Sequence, residues 1–548
     1  MTKNNSNDGV FVQAGILAAA SIAVRIIGLL YRSPLTAIIG DEGNGYYGTA
    51  YNIYTIILLI SSYSVPSAIS KVMAEKLALE QYKNAQRVFY CALAYALMVG
   101  AAAGLFLFFG AGILVPERCV PVLRVFAPTI FVFGILGVLR GYFQARRTMV
   151  PTSVSQILEQ IANAVVSIGA AWLLMRGAAE GTEGALRGAV GSALGTGSGV
   201  VIALIFMLYC FRAQRGEMRA QIRQDMGPAA SYGRIMKETM LAITPFILSS
   251  FILNLTTSLN QTIFLREVIQ SGTMTDIEAT TIYGIFSNKA VVITNIPISI
   301  ATAVAAAIIP GISTAYARMD MEETKAHASN ASRITLMIAI PCAAGLMSLA
   351  MPVVFLLFPQ RASAQTASQL LALLAVTVVF YSVSTVTNAV LQAIGKMHMP
   401  LVSAGIALVV QTALLVLLLK FTDLGIYSLV LVSVVYSVLI FLMNEFFLKR
   451  YLGTKPGVAR VYGAPVLAAA LMGAAAYGIY QAFSRLLLAA GMHSDYFRNA
   501  VAIVPAILAA IVLYFFLLIR FKAIGEEDFG MLPKGRVLVR LLKKLRWL

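Results

Sequence analysis

Three basic residues lie within or beside long apolar stretches of the sequence. Lys289 lies inside the run Ile282–Pro310, which otherwise has the composition of a membrane-spanning helix. Arg25 and Arg32 are seven residues apart, which places them on one face of a helix, about 10 Å from each other. A charge at the membrane centre costs about 2.5 to 3.5 kcal/mol and is retained mainly where it faces a cavity or a partner. If two helix bundles face each other across a central cleft, these residues form a site that attracts an anion and repels a cation. The alternative is that they extend to the lipid headgroups, which is favoured most for Arg32, near the outer boundary of its stretch.

Polar side chains form stripes on two further apolar stretches. Glu159 is a carboxylate deep within one of them, and it shares a helical face with three amides, Gln156, Gln160 and Asn163. Asn254 and Gln261 lie on a similar stripe of the stretch Thr239–Leu265. Both stripes suit either hydrogen bonds between helices or coupling to an ion. The structural role is favoured for Glu159, and for Asn254 and Gln261 both readings stay open.

The composition predicts that helices crossing a membrane position these residues. Hydrophobic residues make up 59% of the chain and charged residues 12%, and the mean hydropathy is +0.81. Roughly fourteen stretches have the length of ~20 residues that a transmembrane helix needs. Most of the 42 Lys and Arg residues fall in segments that an N-terminus-inside topology places in the cytoplasm. The net charge of +18 therefore predicts two cytoplasmic termini and contact with the lipid bilayer, and no nucleic-acid partner.

Two short motifs repeat six predicted helices apart. Ser64–Ser70 in the second helix corresponds to Asn295–Ala301 in the eighth, and Phe143–Pro151 corresponds to Leu391–Pro400. An even separation gives both copies the same direction, which indicates a parallel repeat. Pro66 and Pro297 fall within the first pair and predict either flex points or rigid kinks. The expected organisation is a six-helix lobe (1–211), a basic cytoplasmic linker (212–238), a second six-helix lobe (239–448), two additional helices (449–519) and a basic amphipathic cytoplasmic tail (520–548).

The sequence lacks the motifs of several enzyme classes. It contains neither a G-x-x-x-x-G-K-[ST] phosphate loop nor an H-E-x-x-H zinc motif, and its 3 histidines are isolated. The 4 cysteines are scattered, with no spacing typical of metal ligands. We therefore expect no catalytic residue, metal or cofactor, and a transporter rather than an enzyme. An ion gradient or the membrane potential remains open as the driving force.

The opening of the chain carries a family resemblance. Gly15–Leu17, Arg25–Arg32 and Ile39–Gly48 resemble the stage V sporulation protein B group of polysaccharide exporters. These are similar to the peptidoglycan lipid II flippases of the multidrug/oligosaccharidyl-lipid/polysaccharide exporter superfamily. The resemblance implies a MATE-like all-α fold of about fourteen helices in the cytoplasmic membrane of a bacterium. It also implies that Arg25, Arg32 and Lys289 match the basic cavity residues of the flippases, although Lys289 stands where the family commonly has Arg.

The residues and the resemblance together predict a flippase for a polyprenyl-pyrophosphate-linked glycan. The peptidoglycan precursor lipid II is the favoured cargo, with its pyrophosphate on Arg25, Arg32 and Lys289, and a monomer is the default expectation. A cation-coupled multidrug exporter of the same superfamily is the alternative, but it would favour carboxylates in the cavity. A membrane glycan polymerase or ligase is a third possibility, which an essential residue in an outer loop, such as Asp41, Glu42 or Arg266, would support.

Overall fold

A computed structural model describes residues 4–63, 65–146, 148–177, 181–396, 398–453 and 463–521. Every regular element in these ranges is helical. The α-helices, numbered in chain order, are α1 Asn4–Leu58, α2 Val65–Ala78, α3 Tyr82–Leu114, α4 Val120–Ala145, α5 Val150–Arg176, α6 Thr182–Gln224, α7 Tyr232–Gln270, α8 Asp276–Ile285, α9 Val291–Ala317, α10 Met321–Ser348, α11 Ala350–Leu357, α12 Arg361–Ala393, α13 His398–Phe421, α14 Tyr427–Leu452, α15 Ala464–Ala489 and α16 Asp495–Arg520.

Helix α1 is too long for one passage through a membrane. Its 55 residues would extend about 80 Å as a straight helix, against a hydrocarbon core of roughly 30 Å. The helix is broken at Gly40, whose φ of 71° lies in the left-handed region that favours glycine. The first two predicted spans are therefore joined through this break rather than by a loop.

Twelve helices in the described part of the chain have the length and hydropathy of a membrane span. The two halves of α1 count among them as one helix, from Ala23 to Ser62. Helix α7, which contains the predicted seventh span, is not among the twelve, and several of its side chains lie outside the described set. The predicted number of about fourteen membrane-spanning helices is roughly consistent with these twelve. The prediction of an all-helical, multi-pass membrane protein is confirmed.

The chain divides into two compact units, Met1–Asn288 and Lys289–Leu548. Unit 1 contains α1 to α8 and a core in which aromatic rings pack together, for example Tyr54 on Phe126 with ring centres 4.7 Å apart. Unit 2 contains α9 to α16 and several smaller apolar clusters. Most of the predicted linker is helical, because α6 continues to Gln224 and α7 begins at Tyr232. The lobe boundaries at 211 and 448 stay predictions, and 522–548 of the predicted tail lie outside the described residues.

Small residues bring α5 and α6 into close contact within unit 1. A Cβ atom on Gly191 would lie 2.5 Å from the backbone nitrogen of Ala171, and one on Gly199 would lie 2.5 Å from the backbone oxygen of Glu159. No Cβ fits at such distances, so the two helices can approach this closely only with glycine at both positions. This contact fixes the position of Glu159 along the bundle.

Two π-helical segments interrupt otherwise regular helices. One is Leu59–Tyr63, between α1 and α2, and the other is Phe286–Ala290, between α8 and α9. Pro66 follows the first segment at the start of α2, and Pro297 lies in α9 after the second. Wide turns of this kind often occur at functional sites in helices. Flexing at the two prolines stays a prediction.

Candidate functional site

Arg25 and Arg32 lie on the first half of α1 in unit 1. Arg25 is exposed, and Arg32 is half-buried. Gly28 lies between them on the same face, and a Cβ atom there would be 3.1 Å from Nε2 of Gln160 on α5. The face that carries the two arginines therefore adjoins the polar stripe of α5.

Asn163 connects that stripe to α1 and α6. Its Nδ2 donates to the hydroxyl of Tyr31 at 3.4 Å. Its Oδ1 accepts from Ser167 at 2.8 Å and from Thr196 on α6 at 3.5 Å. The Thr196 hydroxyl is also 3.2 Å from that of Tyr47. Side-chain hydrogen bonds thus hold three helices together beside Arg32.

Glu159 forms an ion pair with a residue that the sequence analysis missed. Its Oε2 lies 2.7 Å from Nη2 of Arg140 on α4, and Nε of Arg140 donates to Ser155 Oγ at 3.0 Å. The Arg140 side chain is 7% exposed and that of Glu159 is 24% exposed. Arg140 interrupts the apolar run Gly134–Tyr142, and this pattern is the signal that would have identified it.

The charges of Arg32 on α1 and Glu159 on α5 lie close enough to influence the same tyrosine, Tyr51. Arg32 is within electrostatic range of the Tyr47 and Tyr51 hydroxyls, and Glu159 is within range of Tyr51 and Tyr54. We refer to Arg25, Arg32, Arg140 and Glu159 as the basic seam. It contains three guanidinium groups and one carboxylate, so its net charge is positive.

Lys289 lies in unit 2, within the second π-helical segment. Its side chain is fully buried. Nζ donates to Ser363 Oγ at 2.7 Å and to Gln360 Oε1 at 3.1 Å, and it lies 5.6 Å from the centre of the Phe358 ring. In this conformation the ammonium group is therefore enclosed by the residues where α12 begins. A cavity that it shares with Arg25 and Arg32 stays a prediction.

Gln261 takes part in contacts between helices of unit 1. It is 1% exposed, donates through Nε2 to the Thr49 backbone oxygen at 2.9 Å, and accepts from Asn52 at 2.7 Å. Both hydrogen bonds join α7 to the second half of α1. Asn254, its predicted neighbour on the stripe, lies outside the residues whose side chains are described.

Potential metal ligands do not cluster in the described ranges. No group of three or more His, Cys, Asp or Glu side chains there is arranged to hold a metal ion. The four cysteines are free thiols. The chemistry that the described residues offer is electrostatic binding of an anion through guanidinium groups, which bind phosphate and carboxylate well.

Comparisons with known proteins identify the family of the chain. Residues 12–316 match the family model described as polysaccharide biosynthesis protein, and residues 278–417 match the model MatE. The chain is similar to stage V sporulation protein B of Bacillus subtilis, with 24% identity over 96% of this chain and 98% of the relative. It is also similar to the lipid II flippase MurJ of that organism, with 24% identity over 74% and 76% of the two chains.

Solved structures agree on the fold. An inward closed structure of the lipid II flippase MurJ has a TM-score of 0.63 at 14% identity and covers 92% of this chain and 98% of its own. An inward-facing multidrug resistance MATE family transporter of the MOP superfamily also has a TM-score of 0.63, at 17% identity, over 80% and 99% of the two chains. The predicted resemblance is confirmed, and the expectation of a transporter rather than an enzyme agrees with these matches. Because the first family model covers more than half of the sequence, the chain belongs to the polysaccharide biosynthesis protein family.

Proposed function

We propose that this protein is a flippase that moves a polyprenyl-pyrophosphate-linked saccharide across a bacterial cytoplasmic membrane, with lipid II as the cargo. The observation that carries the proposal is the basic seam, which places three guanidinium groups and one carboxylate among apolar helices. A net positive charge in a medium of low dielectric constant favours an anionic headgroup. Stage V sporulation protein B, which matches almost the whole chain, and the lipid II flippase support the choice of cargo.

The cargo pyrophosphate would bind to Arg25 and Arg32, with Lys289 contributing from the second unit. Each phosphate carries negative charge that a planar guanidinium can bind through two hydrogen bonds. Lys289 would contribute a compact positive charge and not a planar group with paired donors. It would therefore strengthen the attraction for the pyrophosphate without fixing the orientation of the phosphates. Movement of the two lobes against each other would then expose the headgroup alternately to the two sides of the membrane.

The polyprenyl chain of the cargo would remain in apolar surroundings. Unit 2 contains a cavity of about 670 Å³ between α10, α12, α14 and α15. Its wall consists almost entirely of apolar side chains, including Leu336, Phe380 and Phe441. A lipid chain is the kind of ligand that such a wall accepts, because burial of hydrocarbon there leaves no polar group unsatisfied.

The alternative is a cation-coupled multidrug exporter, which the MatE match over residues 278–417 favours. A cationic drug requires a carboxylate that is not already neutralised. Glu159 is the acidic residue of the seam, and it is paired with Arg140 at 2.7 Å. The charge balance of the seam therefore favours an anionic cargo over a cationic one.

Rescue of a bacterium depleted of its own lipid II flippase tests the proposal. We expect the wild type to restore growth and Arg32→Ala to fail at equal membrane expression. Arg450→Ala is the matched control, because Arg450 is an exposed basic residue at the end of α14. Lys289→Ala tests the second unit, and full rescue by that variant would remove Lys289 from the site.

Failure of a well-expressed wild type to restore growth would contradict lipid II as the cargo. Uptake of a cationic dye into inverted vesicles would then separate the remaining candidates. Dye transport driven by an ion gradient would support the multidrug exporter. Its absence would support a different lipid-linked glycan.

A further inference from the structure

Arg140 has binding capacity that its contacts in unit 1 do not use. Its guanidinium is bound on one edge only, by Ser155 through Nε and by Glu159 through Nη2. The Ser155 hydroxyl donates in turn to the Thr152 backbone oxygen at 2.7 Å, so its oxygen is left to accept from Arg140. Nη1 has no acceptor in the described part of the chain. A guanidinium has five N–H donors, and this one can therefore bind a further oxyanion.

Glu159 is the more accessible member of the ion pair. Its side chain is 24% exposed, against 7% for Arg140. The hydrogen bond to Arg140 involves a single carboxylate oxygen, Oε2. Beside it, Oε1 of Gln156 is buried without a hydrogen-bond partner. The described contact of the Glu159 carboxylate is thus this one bond to Arg140, whereas the guanidinium is also held by Ser155.

We propose, resting on the flippase function above, that Arg140 is a third phosphate-binding arginine of the cargo site and that Glu159 competes with the cargo for it. In the empty state the carboxylate of Glu159 occupies the guanidinium. In the loaded state a phosphate oxygen of the pyrophosphate takes its place, because carboxylate and phosphate offer the same geometry to an arginine. Glu159 acts as an internal substitute for the cargo.

Charge balance supports this exchange. Arg25, Arg32 and Arg140 contribute three positive charges and Glu159 one negative charge, so the seam has a net charge of +2 (3 − 1). A pyrophosphate that links a lipid to a sugar carries about two negative charges, one on each phosphate. The loaded seam of unit 1 is therefore close to neutral with every member ionised, and Lys289 would add one positive charge from unit 2. An internal competitor also limits the affinity for the cargo, which allows release on the other side of the membrane.

The simpler explanation is that the ion pair only joins α4 to α5. The two explanations predict opposite effects of removing the carboxylate. If the pair is only structural, Glu159→Gln leaves a buried guanidinium uncompensated and gives no gain in binding. If Glu159 is a competitor, the same change frees Arg140 and strengthens the binding of pyrophosphate.

The test measures binding to the full-length protein in nanodiscs of zwitterionic lipid. The probe is farnesyl pyrophosphate, and farnesol provides the uncharged reference. We expect Glu159→Gln to bind farnesyl pyrophosphate about tenfold more tightly than the wild type, the gain typical of one charged hydrogen bond. Replacing both residues, Arg140→Gln with Glu159→Gln, should abolish this gain. Thermal unfolding with and without the probe shows that each variant is folded, and the probe should stabilise Glu159→Gln more than the wild type.

Glu217→Gln is the matched control. Glu217 pairs with Arg146 at 3.8 Å, so this variant also removes a carboxylate from an arginine, the one that directly follows α4, and changes the net charge equally. An equal gain in affinity for both variants would reduce the effect to net charge and overturn the inference. An unchanged or weaker affinity of Glu159→Gln would do the same. A wild type that binds farnesyl pyrophosphate no better than farnesol would instead contradict the proposed function itself.

Discussion

Unit 1 and unit 2 each bury a basic side chain among their helices, and they surround it with different chemistry. In unit 1, Arg140 is held by a carboxylate 2.7 Å away. In unit 2, the hydrogen bonds described for Lys289 go to the neutral oxygens of Gln360 and Ser363, and an aromatic ring lies nearby. Both side chains are nearly or fully buried. The difference therefore lies in the partners and not in the depth of burial.

The partners determine what each cation can do for an anionic cargo. A carboxylate neutralises the charge of the guanidinium, so Arg140 attracts an anion strongly only when Glu159 leaves, although Nη1 can donate in either state. Neutral oxygens stabilise an ammonium group by hydrogen bonds but leave its charge in place. The hydrogen bonds from Lys289 to Gln360 and Ser363 therefore do not neutralise its charge, whereas the contact of Arg140 with Glu159 neutralises the guanidinium of Arg140.

Removing the arginine of the ion pair is expected to have the largest effect on stability. Arg140→Gln leaves the carboxylate of Glu159 partly buried without its counter-charge. Loss of one partner of a buried pair typically costs 3–5 kcal/mol, and we expect about 3 kcal/mol because Glu159 is partly exposed. Thermal unfolding of the purified protein in detergent measures this loss.

The double variant distinguishes charge from packing. Adding Glu159→Gln to Arg140→Gln removes the unpaired charge and leaves two amides that can bond to each other. We expect recovery of most of the lost stability. A double variant as unstable as the single one would show that the packing of Arg140, and not its charge, stabilises α4 on α5.

Removing the cation of unit 2 is expected to cost less. Lys289→Gln leaves Gln360 and Ser363 short of a donor, but it leaves no unpaired charge on either of them. The cost for neutral groups is about 1 to 2 kcal/mol. A loss as large as that of Arg140→Gln would mean that Lys289 is bound to a charged group, and the contrast between the two units would fail.

A carboxylate placed beside Lys289 would make unit 2 resemble unit 1. Ser363→Asp puts an acidic group where the hydroxyl now accepts from Nζ at 2.7 Å. The attraction is largely offset by the cost of burying the carboxylate, so we expect a change in stability below about 1 kcal/mol. Growth rescue should nevertheless be lost, because the field of Lys289 is neutralised. Ser363→Asn is the control. Asparagine has nearly the size of aspartate but no charge, so this variant should keep the function.

The sequence was sufficient for the class of fold, because hydropathy alone marks helices that must cross a membrane. It also identified Lys289 as a charge buried among apolar residues. It could not predict the surroundings of Lys289, since Gln360 and Ser363 are distant in sequence and carry no special pattern. The break at Gly40 was missed because the flanking polar residues resemble those of an ordinary loop.

The ion pair of Arg140 and Glu159 in unit 1 likewise could not be predicted from the sequence. Glu159 was recognised as a polar residue on a helical stripe, but a stripe does not show which helix it faces. The close approach of α5 and α6 at Gly191 and Gly199 determines which face of α5 can contact α4. Such an orientation depends on contacts between distant segments, and a single sequence does not determine them.

The smallest effect is expected for a carboxylate outside the membrane spans. Asp225, in the connection between α6 and α7, accepts the backbone N–H groups of Lys83 and Gly227, each at 2.8 Å. The hydrogen bond from Lys83 has the larger effect and that from Gly227 the next, and both lower the pKa of the Asp225 carboxyl below its ordinary value. Water solvates this carboxylate in both states, so the environment that makes the Arg140 pair costly to break is absent here.

Asp225→Asn should therefore loosen this connection without changing the global stability. A carboxyl whose pKa is lowered by local hydrogen bonds stabilises that local structure above its ordinary pKa, and the contribution is lost as the pH falls through the lowered value. Hydrogen exchange at the amides of Lys83 and Gly227, expressed as protection relative to the unfolded rate, measures the effect. We expect protection in the wild type to decrease only in acid and to be weaker and independent of pH in Asp225→Asn. A variant that unfolds at a lower temperature would show that this surface contact, like the Arg140 pair, stabilises the whole of unit 1.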